Sequence, residues 1–176
     1  LTVSRKRKET PDVAEVYATY TYHTGINDCK KVNTVTNTLQ QTTTFTYNHT
    51  TCNPTSITQP DPDGNGPLAA PVTQFTSYNS KGQLLTKIDP VATTKYEYDP
   101  AGTETLKAIT VDNGGLSLRT VFTFETFGTL KNIKDPLGFY TLFEYDSQRQ
   151  LKRKTLADPD GAGGSLAAPD TKYTYD

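Results

Sequence analysis

The chain has no methionine, no tryptophan, two cysteines and two histidines among 176 residues. With His23 and His49 as the only imidazoles, no Ser-His-Asp order, no nucleophile elbow and no phosphate-cradling glycine loop, catalysis is not expected. No apolar run approaches the roughly 20 residues needed to cross a bilayer as a helix, and no charged-then-apolar leader stands at Leu1. The chain is therefore expected to be soluble. A net charge of −1 gives no global reason to expect a nucleic-acid or membrane partner. No window sustains an apolar period of 3.6, which argues against helices.

What is present points to strands. There are 32 threonines, 11 tyrosines and 7 phenylalanines, residue types that suit a pleated, half-buried surface. Strict alternation recurs over residues 42–47, 119–124 and 171–175. One short unit also recurs: aromatic, any residue, aromatic, then Asp or a substitute. It occurs at Tyr20/Tyr22, Phe45/Tyr47, Tyr96/Tyr98, Phe122/Phe124, Phe143/Tyr145 and Tyr173/Tyr175. Phe75/Tyr78 is a seventh copy with one extra residue between its rings. Successive second aromatics are 25, 31, 20, 26, 21 and 30 positions apart. The two longest steps are the two that contain a second duplicated stretch, DPDGNGPLAAP from Asp61 and DPDGAGGSLAAP from Asp158. That loop is an insertion in a particular repeat, and the longer register, 97 to 98 residues, is itself a duplication.

Each unit has a physical logic. Side chains two apart on a strand share a face, so an aromatic pair projects to one side and is expected to stack with the pair on the next strand. A turn follows. In Asp99-Pro100-Ala101-Gly102 the Asp side chain can accept the turn's own amides, Pro sets φ, and Gly takes the left-handed position. Turns ending at Gly82 and Gly128 follow the same plan, and Leu84, Leu106, Leu130 and Leu151 begin the returning strand. A second turn, Asp135 to Gly138, closes the hairpin, with Asp89-Pro90 and Asp158-Pro159 at matching places.

The combination YDxxGxL followed by DPxG, from about Tyr20 to Asp176, resembles the YD repeat of Rhs proteins, teneurins and the shell components of Tc-type toxin complexes. The resemblance implies antiparallel hairpins wound into a spiral sheet that encloses a hollow, usually in secreted or surface proteins. Three features depart from the pattern: Arg149 stands at a turn-glycine position, His23 and Asn48 replace Asp, and two extra residues separate Gly102 from Leu106. The self-cleaving aspartyl protease segment that closes many such shells has no clear match, nor does a C-terminal toxin.

The same resemblance implies an oxidising compartment, in which Cys29 and Cys52 would form a disulfide. Buried free thiols, or metal held with His23 or His49, are the alternatives, and the spacing fits no zinc pattern. Asp61 and Asp63, and in the second copy Asp158 and Asp160, begin like calcium loops, but neither loop supplies the downstream bidentate Glu. The plain reading is a polar turn with LAAP packed back as an apolar flap. Arg5 to Lys8 and Lys152 to Lys154 read as solvated strand faces or charged edges. Asn48-His49-Thr50 is a formal glycosylation sequon.

The expected architecture is all-β: a leading strand or partial repeat over 1–19, then a hairpin array over 20–176. Its units fall near 20–44, 45–74, 75–95, 96–121, 122–142 and 143–172, with a partial unit at 173–176. The expected role is structural and without cofactor, as a fragment of an extracellular or cell-surface shell wall. Its partners would be the rest of a parent chain or further copies, with enclosed cargo. Adhesion to a glycan or protein, and self-association into a filament, are the competing expectations.

Overall fold

The computed structural model describes residues 2–10, 13–24, 29–64, 66–99, 104–112, 115–161 and 163–176, with side chains described from residue 18 onward. These residues form fourteen strands and no helix: β1 (Thr2–Thr10), β2 (Val13–Tyr22), β3 (Val32–Asn37), β4 (Thr42–Tyr47), β5 (Pro54–Thr58), β6 (Val72–Tyr78), β7 (Leu84–Ile88), β8 (Thr93–Tyr98), β9 (Leu106–Asp112), β10 (Leu118–Phe124), β11 (Leu130–Lys134), β12 (Tyr140–Tyr145), β13 (Leu151–Thr155) and β14 (Asp170–Lys172). Strand order in the sheet is chain order. The chain divides into two compact units, Leu1–Thr93 and Thr94–Asp176.

In the first unit, β1 to β7 pair antiparallel with their sequence neighbours. Directly opposed residues of an antiparallel pair share a face, so the register assigns each side chain. Tyr20 opposes Val35 and Phe45 opposes Ile57 on one face. The other face is a run of hydroxyls, with Thr21 opposite Thr34, Thr36 opposite Thr42, Thr44 opposite Thr58 and Thr46 opposite Ser56. Several are hydrogen-bonded across the strands: Thr21 to Thr34 at 2.6 Å, Thr36 to Thr42 at 2.8 Å, Thr46 to Ser56 at 2.8 Å and Ser77 to Thr86 at 2.9 Å. Part of the threonine excess is thereby accounted for.

The second unit repeats the plan with different chemistry on the second face. Phe122 opposes Ile133 and Phe143 opposes Lys154 on the aromatic face. The reverse face carries Glu144 opposite Arg153 and Thr155 opposite Asp170. Arg153 pairs with Glu144 at 3.7 Å and Asp170 at 2.7 Å, and Arg119 makes a two-pronged pair with Glu97.

The register corrects the expected ring-on-ring stacking. Each aromatic strand is followed by a return strand without rings, so rings of successive units stand two strands apart, about 9.5 Å. Their neighbours are Val35, Ile57, Leu84, Ile133 and the leucines that follow each turn. Among the described residues, the ring contact is His23 against Tyr47, with centroids 5.7 Å apart. Second aromatics pair across to the return strand at Tyr78–Leu84, Phe124–Leu130 and Tyr145–Leu151, each beside a register shift. This explains why Leu recurs six residues after the ring. The extra residue between Phe75 and Tyr78 is also a bulge, at Thr76, which keeps both rings on one face.

Burial is slight. Among the described residues only Ala108 and Thr94, both in the second unit, are buried, and the repeat rings are at best half-buried. Among the described residues, neither unit packs a second layer on its sheet to form a core of its own.

Candidate functional site

The short turns set the geometry of the sheet's rims. Five of them, starting at Asn37, Asn79, Glu125, Asp135 and Asp146, share one hydrogen-bond pattern: the first residue's N–H donates to the carbonyl four on, and the N–H three on donates back. The residue three on is left-handed in all five: Gln40, Gly82, Gly128, Gly138 and Arg149, with φ from 62° to 93°. This is a three-residue hairpin loop closed by a bulge, where glycine is unstrained. Arg149 occupies the glycine conformation at φ 64° and lies 4.8 Å over the Phe127 ring. In four turns one side-chain oxygen also accepts two amides, at the second and fourth positions on; for Asp146 these are Gln148 and Gln150, at 2.9 and 2.8 Å. Asn37 and Asn79 do this as well as Asp135 and Asp146, so the contact rests on an acceptor oxygen and not on a charge. In the turn after Tyr98, Asp99 donates its N–H to Thr105 at 3.0 Å; Gly102 lies outside the described residues.

The turn at Asn48 is one residue longer, and Cys52 takes its left-handed position at φ 58°. Cys52 is bonded to Cys29 across 23 positions, with Cα atoms 5.4 Å apart. Cys29, His23, Tyr47 and His49 line one small cleft beside the bond, and His23 Nε2 is buried there without a hydrogen-bond partner. The free-thiol alternative does not hold in this structure. Among the described residues no group of three or more His, Cys, Asp or Glu is placed to hold a metal ion. The Asn48 side chain of the sequon accepts amides from Thr50 and Thr51 at 2.9 and 3.0 Å.

The two long loops are built alike. Asp61 Oδ1 accepts the Asp63 amide at 3.1 Å and Asp63 Oδ2 accepts the Leu68 amide at 3.1 Å; Asp158 and Asp160 repeat this with Asp160 and Leu166 at 3.3 and 3.1 Å. Gly66 and Gly164 leave space that the Asp63 and Asp160 carboxylates fill, and a Cβ at either would collide with them. The carboxylates are thus occupied holding their own loops. Amide donation, that of Leu166 foremost, holds the Asp160 carboxyl below its ordinary value. The expected apolar flap is not packed: Leu68 and Leu166 are both exposed. Beyond the loops the duplication reaches single bonds. Gln59 N–H donates to Pro71 and Leu156 N–H to Pro169, and the Tyr78 hydroxyl donates to the Pro54 carbonyl at 2.6 Å as Tyr175 does to Leu151 at 2.9 Å.

Of the repeat aromatics, Tyr20, Tyr22, Phe45, Tyr47, Phe75, Tyr78, Tyr96, Tyr98, Phe122, Phe124, Phe143 and Tyr145 are half-buried, whereas Tyr173 and Tyr175 are exposed. Burial raises the Tyr47, Tyr78 and Tyr98 hydroxyls above the ordinary value. In the second unit Phe122 and Phe124, with Asp99, Lys107 and Glu125, line an open groove of about 460 Å³. The run from Arg5 to Lys8 lies on β1, outside the described side chains. The run from Lys152 to Lys154 lies on β13, which is paired on both sides and so is not an edge.

Sequence reasoning missed the Glu97–Arg119 pair, whose partners are two strands apart, and the cross-strand hydroxyl pairs. Only the register exposes either. The Arg119 guanidinium holds the Glu97 carboxyl below its ordinary range, chiefly through the hydrogen bonds it donates.

No protein-family model matches the sequence, and no curated protein matches it. Solved structures do. The chain superposes on the TcdB2-TccC3-Cdc42 crystal structure with a TM-score of 0.67 at 15% identity, over 92% of this chain and 9% of that one. TcdB2-TccC3 gives 0.66 at 15% identity over 96% and 9%. The form without its hypervariable C-terminal region gives 0.66 at 15% over 99% and 10%. The chain therefore spans about a tenth of the proteins it resembles, and the likeness is one of fold: an all-β array of antiparallel hairpins.

Proposed function

We propose that this chain is a non-enzymatic strip of β-wall, one stretch of a larger extracellular shell that encloses or scaffolds cargo. The observation that carries this reading is an array of hairpins, repeated down to single hydrogen bonds, that buries almost no residue of its own. Such a sheet gains stability by continuing into neighbouring strands, because isolated hairpins are marginal in water. The fold likeness to much longer chains agrees with a part taken from a large assembly. Imaging of the longest natural chain containing these residues tests the reading. A sheet curving around a lumen is the expected result, and an open or fibrous stack would sink it. A second reading, glycan binding, rests on the groove at Phe122 and Phe124, where rings stand beside Asp99 and Glu125. Glycan-array binding that Phe122→Ala abolishes would favour it.

A further inference from the structure

Consecutive hairpins turn alternately on two rims, so within each unit the turns that follow odd-numbered strands share a rim. In the first unit those turns carry Leu39, Leu68 and Val91; in the second they carry Leu116, Leu137 and Leu166. These six side chains are between 58% exposed (Leu68, Leu166) and 80% exposed (Leu137). Among the described residues, turn residues on the opposite rim are polar, as at His49, Ser80, Lys81, Ser147 and Gln148, and the one large apolar residue there, Phe127, lies under Arg149. Single exposed aliphatics are ordinary on protein surfaces. An aliphatic at each described turn of one rim, in both units, is a pattern.

Charge divides the rims in the same way. The loops of the aliphatic rim contain Asp61, Asp63 and Asp89 in the first unit and Asp112, Asp135, Asp158 and Asp160 in the second, with no Lys or Arg in residues 37–41, 59–71, 89–92, 112–117, 135–139 or 156–169. Among the described residues one ion pair touches these aspartates, Lys87 with Asp89 at 3.0 Å. The opposite rim mixes signs, with Lys30, Lys31, Lys81 and Arg149 against Asp99, Glu104, Glu125 and Asp146. Two copies meeting at their aliphatic rims would oppose aspartate to aspartate.

We propose that in each unit the aliphatic, aspartate-lined rim is a docking surface for a basic amphipathic helix. Turn tips on one rim recur every second strand, about 9.5 Å apart. A helix repeats its apolar stripe every seven residues, about 10.5 Å, so successive leucines meet successive tips while Lys or Arg beside the stripe meet the aspartates. This inference does not depend on whether the array closes into a shell.

The test uses a 21-residue peptide with leucines at heptad spacing and lysines elsewhere on that face, against a scramble of the same composition. Affinity and stoichiometry are read by fluorescence anisotropy on the intact chain. Three variants report: Leu39→Ser/Leu68→Ser/Val91→Ser, Leu116→Ser/Leu137→Ser/Leu166→Ser, and Asp89→Asn/Asp135→Asn, in which Asn keeps the turn acceptor as Asn37 does. The expected result is that each serine set halves the number of heptad-peptide sites per chain, that the Asn pair, one in each unit, weakens binding and flattens its salt dependence, and that Phe127→Ser leaves it unchanged. Melting of the serine sets should match the parent, since exposed tips hold nothing. Equal binding of the scramble, unchanged stoichiometry in the serine sets, or loss of folding in them would overturn the proposal. Concentration-dependent self-association abolished by the serine sets would also overturn it, by making a second copy the occupant.

Discussion

Replacing Asp146 by Ala deletes one side-chain oxygen that holds the Gln148 and Gln150 amides at 2.9 and 2.8 Å, while the backbone bonds of the turn remain. Each such bond is worth about 0.5–1.5 kcal/mol net. Both are exposed, so the sum falls near the low end, about 1–2 kcal/mol. A loss of that size speeds local opening about 5- to 30-fold. The amides of Gln148 and Gln150 should therefore exchange faster with deuterium by that factor, with the effect fading toward the first unit. Asp146→Asn should be nearly silent, because Asn79 holds Lys81 and Gln83 the same way at 3.0 Å. Asp146→Glu should resemble Ala: Glu125, at the equivalent place, reaches Lys131 at 3.2 Å and holds no turn amide. Unchanged exchange in the Ala variant, or equal damage from Asn and Ala, would refute the account that an acceptor at this distance fixes the turn.

Two further outcomes follow. Reducing Cys29–Cys52 removes a crosslink across 23 positions, which loop-closure entropy values at about 3 kcal/mol; under dithiothreitol, exchange should rise across β2 to β5 and stay flat in β10 to β13. Arg119→Ala should return the Glu97 titration, followed by carboxyl NMR, upward toward 4.5. Because the folded value is depressed, the contribution of this pair is present above the ordinary Glu range and disappears as pH falls through the lower folded value. A midpoint that does not move in the variant would show that Arg119 is not the cause.

Local chemistry was legible in the sequence wherever it is carried by neighbours in the chain. Turn positions followed from Asp, Pro and Gly, and Arg149 was recognisable as a residue in a glycine's place because the spacing demanded it. The duplication was legible for the same reason. Ring stacking was misjudged because alternation along one strand says nothing about which strand lies beside it. The return strand intervenes between each aromatic pair and the next. Pairs such as Glu97 with Arg119 stay hidden for the same reason, since 22 residues and an intervening strand separate them. The LAAP segments were misjudged differently. Their composition is apolar, but the sheet offers no layer for Leu68 and Leu166 to pack against.

With almost nothing buried, each unit depends on what its strands exchange across their faces, and the two units have made different choices. The first joins strands through neutral hydroxyls, Thr21 to Thr34 and Thr46 to Ser56 among them. The second uses ion pairs that are substantially exposed, Arg119 with Glu97 and Arg153 with Glu144 and Asp170. Exposed pairs contribute about 0.2–1 kcal/mol each, and at 1 M salt the screening length shrinks to about 3 Å, whereas hydroxyl bonds carry no net charge to screen. Raising salt to 1 M should therefore speed amide exchange in β8 to β14 by up to about fivefold per pair, while β2 to β7 hold steady or tighten. If both units responded alike, the reverse-face contacts would not be what distinguishes their stability, and cohesion would have to reside in the shared pairing of rings with aliphatics on the other face.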